Sequence, residues 1–178
     1  MEAGLARTLL EFDKWLATVE ASGLEAVLDR TASKQDWPVH DLIDQILGRL
    51  TADTGGIERG LLRKSLVETL LPIGGIETTW SVEWGERLTK HLRQYGAPQV
   101  LVRFLSLHVF NVVWFQIGDA IRMDCPTNDA FLETMERLEQ ACSTVVKRFW
   151  EPGNITRPLS PSDVRELIDR IAGNLCGF

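Results

Sequence analysis

The chain of 178 residues contains a single tyrosine and three cysteines, and no Cys-x-x-Cys pair occurs. Cys125, Cys142 and Cys176 are odd in number and far apart, which argues against a disulfide framework and against a cysteine zinc site. We therefore expect three reduced thiols in a cytoplasmic protein. Cys142 falls on an apolar helical face, where a cysteine most often acts as a small hydrophobic residue.

The sequence also lacks a basic patch and a long apolar run. Its formal net charge is −6, and a nucleic-acid-binding protein needs clustered cations to neutralise phosphates, so we expect no nucleic-acid partner. The longest stretch without a charged residue, 104–118, is shorter than the roughly 20 apolar residues that span a bilayer. The beginning of the chain has no signal-peptide pattern. We therefore predict no membrane segment and no membrane partner.

Hydrophobic residues nevertheless make up 44% of the chain, which is enough to form a core of ordinary size. They recur with helical spacing almost throughout, and this periodicity predicts an all-α fold of six to eight helices. We assign residues 1–150 to one domain and residues 151–178 to a linker with a C-terminal helix. The helices are predicted over about 2–20, 24–30, 36–51, 57–71, 81–94, 98–123, 127–150 and from 161 onward.

The two most apolar of these predicted helices are adjacent in the chain. Apolar residues occur on every side of the helix over 98–123, which is typical of a helix in the middle of a fold. The following helix has a heptad-like apolar seam formed by Phe131, Met135, Leu138, Cys142, Val145 and Phe149. Such a seam offers apolar surface for pairing with a second copy, and packing within one chain can use it equally.

No catalytic motif is present in the sequence. The HExxH, GxSxG and EF-hand patterns are all missing, and no two titratable groups are placed to converge on a substrate. We therefore expect a protein that is not an enzyme. His108 lies inside the most apolar helix, where we expect a core histidine that is hydrogen-bonded to a neighbouring side chain.

One histidine lies at a corner between two predicted helices. His91 is in the last turn of one helix, and Gly96-Ala97-Pro98 leads from there into the long apolar helix. A neutral imidazole in this position can project between the helices and ligate a metal. The segment resembles the globin superfamily, in which the iron-binding histidine precedes a proline by seven positions, as His91 precedes Pro98. Its His-Leu-Arg…Pro pattern is similar to that of bacterial globin-type sensor domains.

The resemblance, which covers roughly residues 36–150, first suggests a haem protein. In that alternative His91 is the proximal iron ligand, and Leu62, Leu66 and Phe104 line the haem pocket. The sequence departs from the haem pattern because no phenylalanine between Phe12 and Phe104 is available to face the porphyrin. It also has no tyrosine in the earlier helices to donate a hydrogen bond on the distal side.

The non-haem sensor globins of stressosome-type regulators fit these departures better. Their corner is similar to Arg93-Gln94-Tyr95-Gly96-Ala97-Pro98, which is followed here by an apolar helix containing Trp114. This resemblance implies a globin-like helical sandwich without a cofactor. It also implies a sensory or regulatory role, exerted through a homodimer of the last two long helices or through a downstream signalling protein. We expect that function, and keep haem binding through His91 as the alternative.

Overall fold

The computed structural model describes residues 2–28, 37–75 and 77–150, together with positions 162 and 166. Within these residues the fold is all-α, as predicted, and contains no strand. The helices are α1 (Glu2–Ser22), α2 (Val39–Leu50), α3 (Gly56–Gly74), α4 (Ser81–Tyr95), α5 (Ala97–Asp124) and α6 (Asn128–Phe149). A 3-10 turn, Leu24–Ala26, follows α1 in place of the start of the short helix that the sequence predicts. The predicted linker and C-terminal helix lie outside the described residues, apart from positions 162 and 166, which are helical.

The start of α2 is tied to the start of α4. Residue 36, where the sequence predicts that this helix begins, lies outside the described residues, and the helix begins at Val39 after Pro38. The Val39 N–H donates to the carbonyl of Thr79 over 3.0 Å, and the Ser81 N–H donates to the carbonyl of Trp37 over 2.8 Å. These two bonds satisfy first-turn donors that an isolated helix leaves without partners.

The end of α3 differs from the prediction. The sequence predicts that the helix runs to about Leu71 and that Pro72 and Gly74-Gly75 end it, whereas the helix continues through Pro72 to Gly74. Proline removes a single backbone donor, and in the last turn this loss does not stop the helix. The chain leaves the helix at Gly75, whose φ of 92° is accessible to glycine at little cost.

The helix α5 is the one on which the others assemble, because it packs against α1, α3, α4 and α6. Its buried side chains are concentrated between Ala97 and Asn111, and beyond this point only Gly118 is buried. Although α5 is long and apolar enough to cross a bilayer, with a mean hydropathy of 1.6, half of that window is buried inside the fold. This burial is typical of the central helix of a protein core.

The helix α6 packs chiefly against α5. Only Cys142 of the predicted seam is buried, and the other buried positions at this end are Val146 and Trp150. The remaining seam residues, Phe131, Met135, Leu138, Val145 and Phe149, are half-buried. The predicted seam therefore faces α5 without being fully covered by it.

A close contact between Gly74 and Trp84 joins α3 to α4. A Cβ atom added to Gly74 would overlap the indole ring of Trp84, which is fully buried. We expect Gly74→Ala to lower the free energy of unfolding by about 2 kcal/mol, because a packed core resists added volume. Urea unfolding followed by circular dichroism measures the loss.

Gly60 provides the matched control in the same helix. It is exposed, and a Cβ atom there meets nothing within 4 Å. Gly60→Ala should raise the free energy of unfolding by about 0.5–1 kcal/mol, because alanine is the better helix former. Equal effects of the two substitutions would contradict the close packing of α3 on Trp84.

Candidate functional site

The residues predicted to line a haem pocket lie in the closed core. Leu62, Leu66 and Phe104 are all fully buried. The ring of Phe104 meets the ring of Phe12 edge-on, with 5.3 Å between the centroids. These side chains therefore pack against other core residues, in the way that fully buried apolar residues do.

His91 lies apart from that core. Its half-buried ring packs 4.7 Å from the ring of Tyr95, centroid to centroid, and it lines a surface groove together with Pro98, Arg103 and Trp150. Burial lowers the pKa of His91 below its usual value, and the positive charge of Arg103 lowers it further. Both effects favour the neutral form of the imidazole.

The structure does not bring the four predicted residues together around one cavity. A haem needs its iron ligand and its apolar lining to face one cavity. Here His91 faces the surface groove, whereas Leu62, Leu66 and Phe104 lie in the core. Among the described residues, no three His, Cys, Asp or Glu side chains are grouped closely enough to hold a metal ion either.

A polar cluster that sequence reasoning missed lies between α3 and α5. The Ser65 hydroxyl is 3.3 Å from His108 Nδ1, and the Asn111 side-chain amide donates to the same hydroxyl over 3.1 Å. Asn111 also donates to a Glu68 carboxylate oxygen over 2.8 Å, and its own oxygen accepts from Lys64 over 2.6 Å. His108 is thus a core histidine bonded to a neighbour, as predicted, and the neighbour is Ser65.

The Ser65 hydroxyl has one proton and two possible acceptors beside it. It donates to the carbonyl of Leu61 over 2.8 Å, and His108 Nδ1 lies 3.3 Å from the same hydroxyl oxygen. While the hydroxyl proton is bonded to Leu61, the contact with His108 requires a proton on Nδ1, because a hydroxyl oxygen that has donated can only accept. The other ring nitrogen, Nε2, is buried without a hydrogen-bond partner among the described residues.

The environment of His108 favours the neutral ring. Burial lowers its pKa to about 4, and a backbone hydrogen bond with Leu61 opposes this effect only in part. A serine next to a histidine can form a nucleophile and base pair. Ser65 is fully buried, however, and its proton is already bonded to a backbone carbonyl. The cluster therefore acts as a polar contact that sets α3 against α5.

Burial keeps the thiol of Cys142 in its protonated form. Cys142 is buried, as predicted, and burial raises the pKa of its thiol to about 11. The nucleophilic form of cysteine is the thiolate, so this thiol is unreactive near neutral pH. Cys125 is half-buried, and the third predicted free thiol, Cys176, lies outside the described residues.

Exposed apolar side chains are concentrated on the far part of the α5–α6 hairpin. Four of them define what we call the hairpin surface: Phe115 is 58% exposed, Ile117 45%, Met123 85% and Leu132 52%. The ring of Trp114 on α5 meets the ring of Phe131 on α6 edge-on, 5.7 Å apart. Exposed apolar residues at one end of a fold commonly mark a site of protein association.

No protein-family model matches the chain, and comparison with curated proteins and with solved structures finds no significant similarity. The globin resemblance therefore depends on the segment from His91 to Pro98 and on the helix order. Function must be inferred from the geometry of this chain.

The buried His108 makes stability depend on pH. Its pKa is about 4 in the folded protein against the 6.5 that is usual for a histidine, so the unfolded chain binds the additional proton first. This difference in pKa contributes about 3 kcal/mol to the free energy of unfolding. The contribution is present above pH 6.5 and is lost as the pH falls toward 4. Urea unfolding at pH 7 and pH 4.5 measures this loss.

His108→Gln should reduce the pH dependence between these two values, whereas His40→Gln should keep it. His40 is the control because its side chain is 78% exposed. The assignment fails if both variants retain the full acid-dependent loss of stability.

The placement of His91 predicts its response to haem. Titration of the purified protein with haemin should give no absorption band that depends on this residue, because the ring does not face the core lining. The absorption spectrum of His91→Ala with haemin should match that of the wild type. A sharp band near the blue edge of the visible range that disappears in His91→Ala would contradict this placement.

Proposed function

We propose that this chain is a non-catalytic sensory or regulatory domain that acts by pairing with a second copy of itself. The observation that carries the proposal is the hairpin surface on α5 and α6. Large apolar side chains there extend past the core and lie on two adjacent helices. Two such hairpins placed face to face form a four-helix arrangement, which buries apolar residues from both copies.

The charges around the hairpin surface favour a protein partner over a lipid surface. Asp119, Asp124, Asp129 and Glu133 are exposed at this end of α5 and α6. Anionic lipid headgroups would repel these carboxylates. Glu133 is instead paired with Arg137 over 2.5 Å. A border of charges around an apolar centre is the usual pattern of a protein interface.

The interior of the fold supports a regulatory role over a catalytic one. The buried Ser65, His108 and Cys142 are closed to substrates, and His108 and Ser65 are used in holding two helices together. A pairing domain can transmit a signal by changing how its two copies pack. Such a change requires a ligand or partner that favours one packing by a few kcal/mol.

The resemblance to non-haem sensor globins agrees with this proposal. Six helices in the described residues and a corner at His91–Pro98 are features that such a domain would have. We include the cytoplasmic location and a downstream signalling partner in the proposal. Haem plays no part in it, because His91 and the predicted lining do not share a cavity.

The pairing is tested by light scattering coupled to size-exclusion chromatography. At tens of micromolar, we expect a mass of about twice the 20.0 kDa of one chain. Phe115→Arg should shift the mass to that of a single chain, because a buried and unpaired guanidinium in the interface costs several kcal/mol. We expect dissociation to become at least about a hundredfold more favourable.

Val82→Arg is the matched control for this substitution. Val82 lies on α4 and is 55% exposed, nearly the same as Phe115, but it lies outside the hairpin surface. The control should keep the mass of the pair. A mass near 20.0 kDa for the wild type, or loss of pairing in Val82→Arg alone, would contradict the proposal.

A further inference from the structure

A groove lies between the corner that joins α4 to α5 and the C-terminal part of α6. We call it the corner groove. Its volume is about 760 Å³, which falls within the roughly 300–1,000 Å³ of small-molecule sites. Four helices contribute to it, through Ile73 of α3, His91 of α4, Arg103 of α5 and Lys147 of α6, with Trp150 directly after α6.

Two unpaired cations face the corner groove. Neither Arg103 nor Lys147 has a carboxylate within 4.0 Å among the described residues, although Glu139 lines the same groove. Several basic side chains elsewhere are paired with carboxylates, as in the contact of Arg63 with Asp44 at 2.7 Å. Since the chain has a net charge of −6, two cations on one groove that have no carboxylate partner among the described residues point to an anionic ligand.

A second surface groove of similar size differs from the corner groove in the charges that line it. It has a volume of about 630 Å³ and is lined by Glu25, Glu86, Lys90 and Arg93. Its two acids and two bases balance, and Arg93 donates to the carbonyl of Glu20 over 3.3 Å. Groove size alone therefore does not distinguish the two, whereas the sign of the lining charges does.

The remaining lining of the corner groove is partly apolar and partly able to form hydrogen bonds. Val100 and Trp150 are buried beneath it, and Pro98 adds a further apolar surface. The Ser143 hydroxyl and the ring of His91 offer hydrogen-bonding groups at its edge. The N-terminus of α5 has no side-chain cap, so its first N–H groups and the helix dipole add positive potential at the same end.

We infer that the corner groove binds a small organic anion, with a carboxylate or phosphate group between Arg103 and Lys147 and an apolar body against the floor near Trp150. Charge-assisted hydrogen bonds hold the anionic group, and burial of the apolar body adds affinity. The inference goes beyond the proposed function and does not depend on it. A ligand in this position contacts both α5 and α6, the helices of the hairpin.

The test uses two probes that share one aromatic body, 1-naphthylacetate and its neutral amide, 1-naphthylacetamide. Isothermal titration calorimetry of the full chain should show the anion binding about tenfold more tightly than the amide, because only the anion uses the cations. In the double variant Arg103→Gln/Lys147→Gln the preference should disappear. Glu139→Gln should strengthen binding of the anion about threefold, because it removes the carboxylate from the groove.

The matched control is Arg59→Gln/Arg148→Gln, which removes the same charge from exposed cations outside the corner groove. It should keep the preference for the anion. Equal affinity of the two probes for the wild type, no binding of either, or a preference that survives in Arg103→Gln/Lys147→Gln would overturn the inference. Both double variants should unfold at nearly the urea midpoint of the wild type, because surface changes have small effects on stability.

The titration also separates this inference from the proposed pairing. Phe115→Arg, which should abolish pairing, lies outside the corner groove and should keep the tenfold preference for the anion. The measured mass reports on pairing, and the difference between the two probes reports on the groove. If the pairing proposal fails, the anion-binding inference can therefore still be judged, and the reverse also holds.

Discussion

The burial of α5 is the constraint on which the rest of the structure depends. This helix has 28 residues and is apolar on nearly every side. Burial of its apolar side chains away from water is therefore favourable. The helices α1, α3 and α4 pack against it, and its burial extends through Asn111. Beyond this point Phe115, Ile117 and Met123 are exposed. The helix α5 is therefore longer than the part of it that the other helices bury, and the proposed pairing would bury apolar residues of the remainder.

The polar cluster limits how α3 and α5 can pack. Helices that meet through leucines alone can slide or rotate at modest cost, because apolar packing tolerates substitution and repacking. The contacts of Ser65 with His108 and Asn111 require these side chains to lie side by side, and an unmade bond in the core costs about 1–3 kcal/mol. The cluster therefore holds α5 in place at the boundary between its buried and exposed parts.

Helix positions could be predicted well from the sequence, because apolar periodicity reports directly on which face is buried. The long apolar helix, predicted over 98–123, is observed over Ala97–Asp124. The direction in which His91 points could not be predicted, because it depends on how α4 is rotated against its neighbours. A small rotation of α4 decides whether the ring faces the core or the corner groove, and the spacing from Pro98 does not encode that rotation.

The polar cluster could not be predicted for a related reason. Ser65 and His108 are 43 positions apart, so only the packing of α3 on α5 brings them together. The sequence does contain one signal, because Ser65 with Glu68, and His108 with Asn111, are polar pairs spaced by three on otherwise apolar faces. The seam from Phe131 to Phe149 is likewise visible in the sequence as apolar spacing. This spacing does not say that the seam faces α5.

The central claim is that the hairpin surface contacts a second copy, and intermolecular nuclear Overhauser effects test it most directly. The chain has three methionines, two of which, Met123 and Met135, lie on the hairpin. An equal mixture of unlabelled protein with protein carrying ¹³C-methyl methionine reports only on contacts between copies. We predict cross-peaks from Met123 or Met135 methyl protons to protons of the unlabelled copy. Their absence, in a sample that tumbles as a single chain of 20.0 kDa, would contradict the claim.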